Sequence, residues 1–192
     1  MNQDLEKKFV RLYENLTNEK FLNMQALGGE IPFYIVPYDP KLHNKVEKRV
    51  LQLKNRLKQS GISVLEINLF DLSLEILKSR EVLEKIVKNE KTLGKSKLFK
   101  TLQALLDSET KIVPKIKEEV KKNPSKILFL TGIGEVFPFI RSHTILNNLQ
   151  NVVKDRPTVM FFPGTYTKEL SLFGRLKDDN YYRAFNLDKL NL

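Results

Sequence analysis

Short apolar segments alternate along this chain with longer segments whose apolar residues recur every three or four positions. The apolar segments lie at 31–36, 62–69, 126–131 and 157–162, and a weaker one lies at 182–187. Buried strands that alternate with amphipathic helices are typical of βαβ units and a parallel sheet. The alternation therefore predicts an α/β fold with a mostly parallel central sheet of about five strands flanked by helices.

Cap and turn residues predict where the helices begin. Asp39 can accept backbone N–H bonds at a helix start, and Pro40 suits the first helical position. Asp71 is expected to cap the helix after the second strand, and the stretch 71–123 has helical patterns throughout. Because no repeat or linker interrupts the chain, we predict a single α/β domain over residues 1–192, with a helical insertion around 71–123.

The composition excludes several classes of protein and site. The chain has no cysteine, which rules out disulfides and thiolate metal sites. Its two histidines, His43 and His143, are too few for most zinc sites unless carboxylates help. No apolar run approaches the roughly 20 residues that span a bilayer, and the polar first residues lack the apolar stretch of a signal peptide. We therefore expect a cytoplasmic protein.

The net charge of +10 favours acidic partners, including nucleic acid, although the charge is spread along the chain. The densest basic stretch contains Glu90 as its only acidic residue. Its lysines are Lys85, Lys88, Lys91, Lys95, Lys97 and Lys100. Two interpretations stay open for this stretch: a solvated helical surface, or a surface that contacts phosphate groups or an acidic protein.

Two glycine-containing motifs resemble nucleotide-binding loops without completing them. Gly94-Lys95-Ser96 lacks the earlier glycine of a P-loop, since position 89 is Asn, and a charged helical pattern precedes it where a strand is needed. Gly132-x-Gly134 does lie between a strand and a helix, but the third glycine of a dinucleotide site would fall at Phe137. We expect glycine to serve a tight turn here, and we expect no cofactor.

The loops after the first, third and fourth predicted strands are the best place for a functional site. These loops are 37–40, 131–135 and 163–166. They share one edge of the sheet if the strands are parallel, and ligands of open α/β sheets bind at that edge. Our candidates for contact with a partner lie in or near these loops and towards the end of the chain; they are Tyr38, Asp39, Arg141, His143, Asn147, Tyr166, Tyr182 and Arg183.

The common catalytic patterns are incomplete. An acid followed by Glu-x-Lys on a strand is one metal-nuclease pattern; Asp39 and Glu66 supply two acids, but Asn68 stands where lysine is needed. Ser142 and His143 are adjacent, so on a helix they point about 100° apart and cannot form a nucleophile–base pair. We therefore assign no catalytic residue and no metal site from the sequence.

Several blocks of the sequence resemble the BrxB family of BREX phage-defence systems. The first blocks are PFYIVPYDP at 32–40, LFLTGIGEVFPFIRSH at 128–143 and LNNLQ at 146–150. The closing blocks are FPGTY at 162–166, LFG at 172–174 and NYYRAF at 180–185. The resemblance covers nearly the whole chain, with the blocks in order and at the right spacing.

The resemblance implies a biological setting rather than a reaction. BREX systems modify host DNA and block phage replication, and their other parts include a large ATPase, a DNA methyltransferase and an alkaline-phosphatase-like protein. The BrxB-like member has no assigned catalytic motif, and its fold is expected to look like a P-loop or AAA-like α/β sandwich without the Walker A loop.

Three functional hypotheses follow from the residues and the resemblance together. The first is a non-catalytic adaptor that binds another BREX protein, with the alkaline-phosphatase-like component as the leading partner. The second is a DNA-binding subunit of the same system that uses its basic surface. The third is a degenerate nucleotide-binding protein.

Overall fold

A computed structural model describes residues 2–25, 32–166, 170–173, 176–177 and 184–190 of this chain. The helices are α1 (Asn2–Thr17), α2 (Glu19–Leu22), α3 (His43–Gln59), α4 (Leu69–Ser79), α5 (Leu83–Leu93), α6 (Lys95–Leu105), α7 (Val113–Lys122) and α8 (Ser142–Leu149). The strands are β1 (Phe33–Tyr38), β2 (Val64–Asn68), β3 (Ile127–Thr131), β4 (Thr158–Tyr166), β5 (Leu170–Leu172), β6 (Leu176–Lys177) and β7 (Phe185–Asn186). Of the helices described, none has the length and apolar character to cross a membrane.

Five strands form a parallel sheet in the order β2-β3-β4-β1-β7. β5 pairs antiparallel with the end of β4, and β6 pairs antiparallel with β5. The predicted α/β fold with a mostly parallel sheet of about five strands is therefore confirmed. The weak fifth segment contributes β7, which has two residues beside β1.

Successive residues of the central strands point to opposite faces of the sheet, and both faces are buried. On one face Tyr34 and Val36 of β1 join the apolar side chains of α1 and α3. On the other face Phe33 and Ile35 join those of α4, α7 and α8. Each fully buried large side chain contributes about 1.5–3 kcal/mol to the free energy of unfolding. The two-sided burial explains why these strands are continuous apolar runs.

Side-chain caps join the strands to the helices that follow them. Asp39 accepts a bond of 3.0 Å from the backbone N–H of Lys41, which confirms the predicted cap before α3. The predicted cap at Asp71 is wrong, because Asn68 caps α4 instead. The Oδ1 atom of Asn68 accepts bonds from the backbone N–H groups of Phe70 (2.9 Å) and Asp71 (3.3 Å). The helix therefore begins directly at the end of β2.

The chain between β2 and β3 is helical from α4 to α7, with a π-helical turn at Ser108–Ile112. α5 and α6 contain no fully buried residue, and they reach the core only through half-buried side chains such as Ile86 and Leu102. α7, in contrast, places Ile116 in the core. This is the region predicted as an insertion, and the division of the chain into domains stays a prediction.

Gly132, directly after β3, has a positive φ of 72° and packs against the cap of α4. A Cβ atom at this position would lie 2.2 Å from Asn68 Oδ1 and 2.9 Å from Asn68 Cγ. Both the backbone conformation and the close approach therefore require glycine. The expected tight turn after β3 is confirmed.

We expect the substitution Gly132→Ala to lower the free energy of unfolding by about 2–3 kcal/mol. About 1–2 kcal/mol comes from the left-handed backbone, and the rest from displacement of the Asn68 cap. Gly61→Ala is the matched control, because Gly61 has φ 74° but no atom within 4 Å of the new Cβ. Equilibrium urea unfolding measures both, and equal losses in the two variants would show that the contact with Asn68 is unimportant.

A hydrogen bond of Tyr166 connects the end of β4 with Ala184, the residue directly before β7. The tyrosine side chain is buried, and its hydroxyl donates a bond of 2.5 Å to the carbonyl of Ala184. Tyr34 offers a contrast, since its hydroxyl is buried and has no hydrogen-bond partner among the residues described. Burial raises the pKa of Tyr34 to about 12. Only one of these two buried hydroxyls therefore stabilises the fold through a hydrogen bond.

Because only one of the two hydroxyls is bonded, replacing each tyrosine by phenylalanine should have opposite effects on the free energy of unfolding. Tyr166→Phe leaves the Ala184 carbonyl without its donor, so we expect a loss of about 1–3 kcal/mol in the free energy of unfolding. Tyr34→Phe removes a buried hydroxyl that makes no bond, so stability stays unchanged or rises. Chemical denaturation of both variants is the measurement, and a larger loss in Tyr34→Phe would contradict this assignment.

Candidate functional site

Residues 37–40 and 131–135 lie at one edge of the sheet, as predicted from the sequence. Residues 163–166, which we predicted as a loop after the fourth strand, instead form the end of β4, because β4 continues to Tyr166 and pairs there with β5. Tyr38 at the end of β1 pairs in register with Pro163 of β4, and Asn68 at the end of β2 pairs with Thr131 of β3. A Cβ atom on Gly134 would lie 2.9 Å from the side chain of Pro163, so the loop after β3 also packs on β4. This edge of the sheet is the candidate functional site.

A polar cluster lies at this edge, between the start of α3 and the loop after β3. The hydroxyl of the buried Tyr38 lies 3.0 Å from His43 Nδ1. The other ring nitrogen, Nε2, lies 2.9 Å from a carboxylate oxygen of Glu135 and 3.5 Å from one of Glu47. Burial, followed by the negative charges of Glu135 and Glu47, raises the pKa of Tyr38 above its ordinary value. The phenol therefore stays protonated at neutral pH.

The sequence patterns predicted Tyr38 at this site but not His43, Glu47 and Glu135 as its neighbours. Two features of the sequence point to these neighbours. His43 and Glu47 are four residues apart, which places them on one face of a helix. Glu135 follows a strand and so lies at the edge where parallel strands end. The order of the strands, which brings the loop after β3 to the start of α3, has no local signal.

The two acids considered for a metal nuclease have structural partners. Asp39 caps the turn at Pro40–Leu42. Glu66 accepts a bond of 2.6 Å from Lys54 Nζ and one of 3.1 Å from the hydroxyl of Thr131. Both carboxylates are therefore engaged in holding neighbouring elements together.

A small pocket of about 60 Å³ adjoins the polar cluster. Its lining includes Tyr38, His43, Glu47, Asn68 and Thr131. Sites for drug-sized ligands have volumes of about 300 Å³ or more, whereas a cavity of about 10–15 Å³ can hold a water molecule. The pocket therefore has room for an ion or for a few water molecules, and it is too small for a nucleotide.

Aromatic side chains surround the loop after β3, and we call them the aromatic rim. Phe137 packs edge-on against Phe173 with ring centroids 6.3 Å apart, and Phe139 packs against Phe99 of α6 at 5.9 Å. We include Phe70, an exposed aromatic side chain at the start of α4, in the same set. Phe70 and Phe173 each remain 40% exposed.

The aromatic rim belongs to the same edge of the sheet as the polar cluster. Phe70 follows Asn68, which packs against Gly132, and the ring of Phe173 lies within 3.2 Å of a Cβ position on Gly134. Exposed aromatic side chains are enriched at protein interfaces. The edge therefore presents apolar surface suited to contact with another protein.

The other predicted contact residues lie in different surroundings. Arg141, just before α8, and Asn147 on α8 are exposed, whereas His143 is half-buried. Tyr166 is buried, with its hydroxyl bonded to Ala184. Tyr182 and Arg183 lie outside the described residues. Contact of these residues with a partner stays a prediction.

The six lysines at 85–100 are all exposed on α5, α6 or the ends of these helices. In the parts of the chain that the structure describes, none of the six forms an ion pair. Lysines on other helices do pair; Lys115, for example, lies 2.9 Å from Glu75. The lysine stretch therefore presents uncompensated positive charge on peripheral helices.

Comparison with known proteins identifies the family. The profile of the family described as "BREX protein BrxB" matches residues 65–187. A protein of that name from Bacillus cereus (strain H3081.97) is 41% identical over 188 residues, which cover 95% of this chain and 97% of the relative. Another of that name, from Escherichia coli O9:H4 (strain HS), is 29% identical over 184 residues, covering 95% and 91%. No solved structure matches this chain. The resemblance in the sequence blocks is thereby confirmed, and this chain belongs to the BrxB family.

Proposed function

We propose that this chain is a non-catalytic adaptor of the BREX phage-defence system that acts in the cytoplasm by binding another BREX protein. Its membership of the BrxB family supports involvement in that system. The alkaline-phosphatase-like component is the partner that we propose first. The docking surface is the edge of the sheet that carries the aromatic rim and Arg141.

The exposure of the aromatic rim is the observation that carries this proposal. Phe70 and Phe173 are large apolar side chains, yet each is 40% exposed to water. Burying such a ring stabilises a complex by up to about 1.5–3 kcal/mol. Arg141, the residue directly before α8, is also exposed. Aromatic and arginine side chains are the usual energetic anchors of protein interfaces.

The absence of a catalytic role is part of the proposal, and the engagement of the strand-end groups supports it. Asp39 serves as a cap, Glu66 pairs with Lys54, and Asn68 caps α4. A general acid or base must be within hydrogen-bond reach of a substrate, and the hydrogen bonds that these three side chains make within the fold weigh against such a role for them.

The double substitution Phe70→Ala with Arg141→Ala tests the docking surface. We expect it to weaken binding to the alkaline-phosphatase-like BREX protein by about tenfold or more, since anchor residues contribute more than about 1.4 kcal/mol. Binding is measured with the purified proteins by isothermal titration calorimetry, after a pull-down against every other BREX protein.

The matched control is Leu51→Ala with Lys58→Ala, which removes an exposed apolar and an exposed basic side chain from α3. Full binding in the control and weak binding in the test variant support the surface. Equal binding of the two variants would show that the docking surface lies elsewhere on the protein. Failure of the unmodified chain to bind any BREX protein would reject the adaptor role itself.

DNA binding is the second candidate function, and the exposed lysine stretch is the observation that favours it. The six ammonium groups lie on α5, α6 or their ends without ion-pair partners among the described residues. Unpaired surface lysines are suited to contact with phosphate groups.

If the lysine stretch binds DNA, the logarithm of the binding constant falls steeply with the logarithm of salt concentration. Replacing Lys85, Lys88 and Lys91 by Gln should reduce that slope by up to about 2.7, or about 0.9 for each lost phosphate contact. Fluorescence anisotropy with duplex DNA at several salt concentrations measures the slope. The same substitutions at Lys41, Lys48 and Lys58 change the net charge equally, so an equal effect there would indicate attraction without a defined surface.

A further inference from the structure

We propose that His43, Glu47 and Glu135 form a binding site for one divalent transition-metal ion, with Zn²⁺ as the ion that fits best. The ligands are His43 Nε2 and one carboxylate oxygen from each glutamate. This proposal is independent of the adaptor role, since it concerns a different set of side chains at the same edge of the sheet.

The distances between the three ligand atoms match those around a metal ion. Nε2 lies 2.9 Å from Glu135 Oε1 and 3.5 Å from Glu47 Oε1, and all three atoms lie within 4.8 Å of one another. Zinc binds nitrogen and oxygen at about 2.0–2.2 Å, so a tetrahedral site separates its ligand atoms by about 3.4 Å. Small rotations of the two glutamate side chains therefore produce a bound geometry.

The charges at the cluster favour a cation. Among the residues described, the carboxylates of Glu47 and Glu135 have no ion-pair or hydrogen-bond partner besides His43. The chain carries a net charge of +10, yet here two carboxylates converge on a single imidazole. A metal ion binds imidazole in its neutral form and carboxylates in their charged form, so the two glutamates would balance the charge of one divalent ion.

Tyr38 orients the imidazole for this role. Its hydroxyl lies 3.0 Å from His43 Nδ1, and its side chain is 9% exposed, so the partner of Nδ1 is held in place by the core. When Nδ1–H donates to the phenol oxygen, the lone pair of Nε2 points towards the two glutamates. Metal-binding histidines characteristically have such a hydrogen bond on the other ring nitrogen.

The combination of ligands indicates the class of ion. One imidazole with two carboxylates suits borderline ions such as Zn²⁺ better than Mg²⁺ or Ca²⁺, which prefer oxygen ligands alone. The pocket of about 60 Å³ shares Tyr38, His43 and Glu47 with the cluster. It leaves room for a water molecule or another small ligand at a fourth coordination position.

The experiment uses the untagged full chain after treatment with a chelator, titrated with Zn²⁺ in a calorimeter. We expect one ion per chain, with Mg²⁺ and Ca²⁺ binding at least about tenfold more weakly. The chain has no cysteine and only two histidines, so His143→Gln is the matched control for His43→Gln. Loss of a ligand should weaken Zn²⁺ binding by about tenfold or more in His43→Gln and Glu47→Gln, while His143→Gln binds as the unmodified chain does.

We expect the Glu47→Gln variant to remain folded, because Glu47 is 53% exposed on α3 and glutamine has nearly the same shape. A thermal melt in the presence of chelator shows whether each variant is folded. Cobalt(II) substitution adds a second readout, since the visible absorption of Co²⁺ reports nitrogen and oxygen ligation directly. Absence of stoichiometric Zn²⁺ binding, or binding that is unchanged in Glu47→Gln, would overturn the proposal and leave the cluster as a set of contacts that join α3 to the loop after β3.

Discussion

The side chains of β1, β3 and β4 are removed from water on both faces of the sheet, so helices must cover both sides. α1 and α3 cover one face, and α4, α7 and α8 cover the other. Apart from α1, which precedes β1, the helices that provide this cover connect successive strands. Because the strands are parallel, each of these connections begins at the same edge of the sheet.

The polar cluster and the aromatic rim both lie at that edge. Each strand end also has a structural task there: Asn68 caps α4 against Gly132, and Tyr38 holds the ring of His43. The structural residues and the candidate ligands are consequently neighbours. An aromatic rim that binds a partner protein and a metal cluster beside it would share the loop after β3, since Glu135 and Phe137 are two residues apart.

Patterns of local sequence predicted the parts of the fold that depend on local forces. The first four predicted apolar segments correspond to β1 to β4, and Asp39 forms the cap that its sequence context indicated. The error at Asp71 has a local cause as well. Asn68 ends a strand and Asp71 begins a helical pattern, and both types of side chain cap helices. Only the direct passage from β2 into α4 selects Asn68.

The sequence by itself determined the class of fold and the family, because periodicity and short blocks of residues are carried by neighbours in the chain. The tertiary structure decided the strand order β2-β3-β4-β1-β7 and, through it, which distant residues meet. His43 and Glu135 lie 2.9 Å apart although 92 positions separate them in the sequence. No periodicity records such a contact, since it arises from the pairing of whole strands across the sheet.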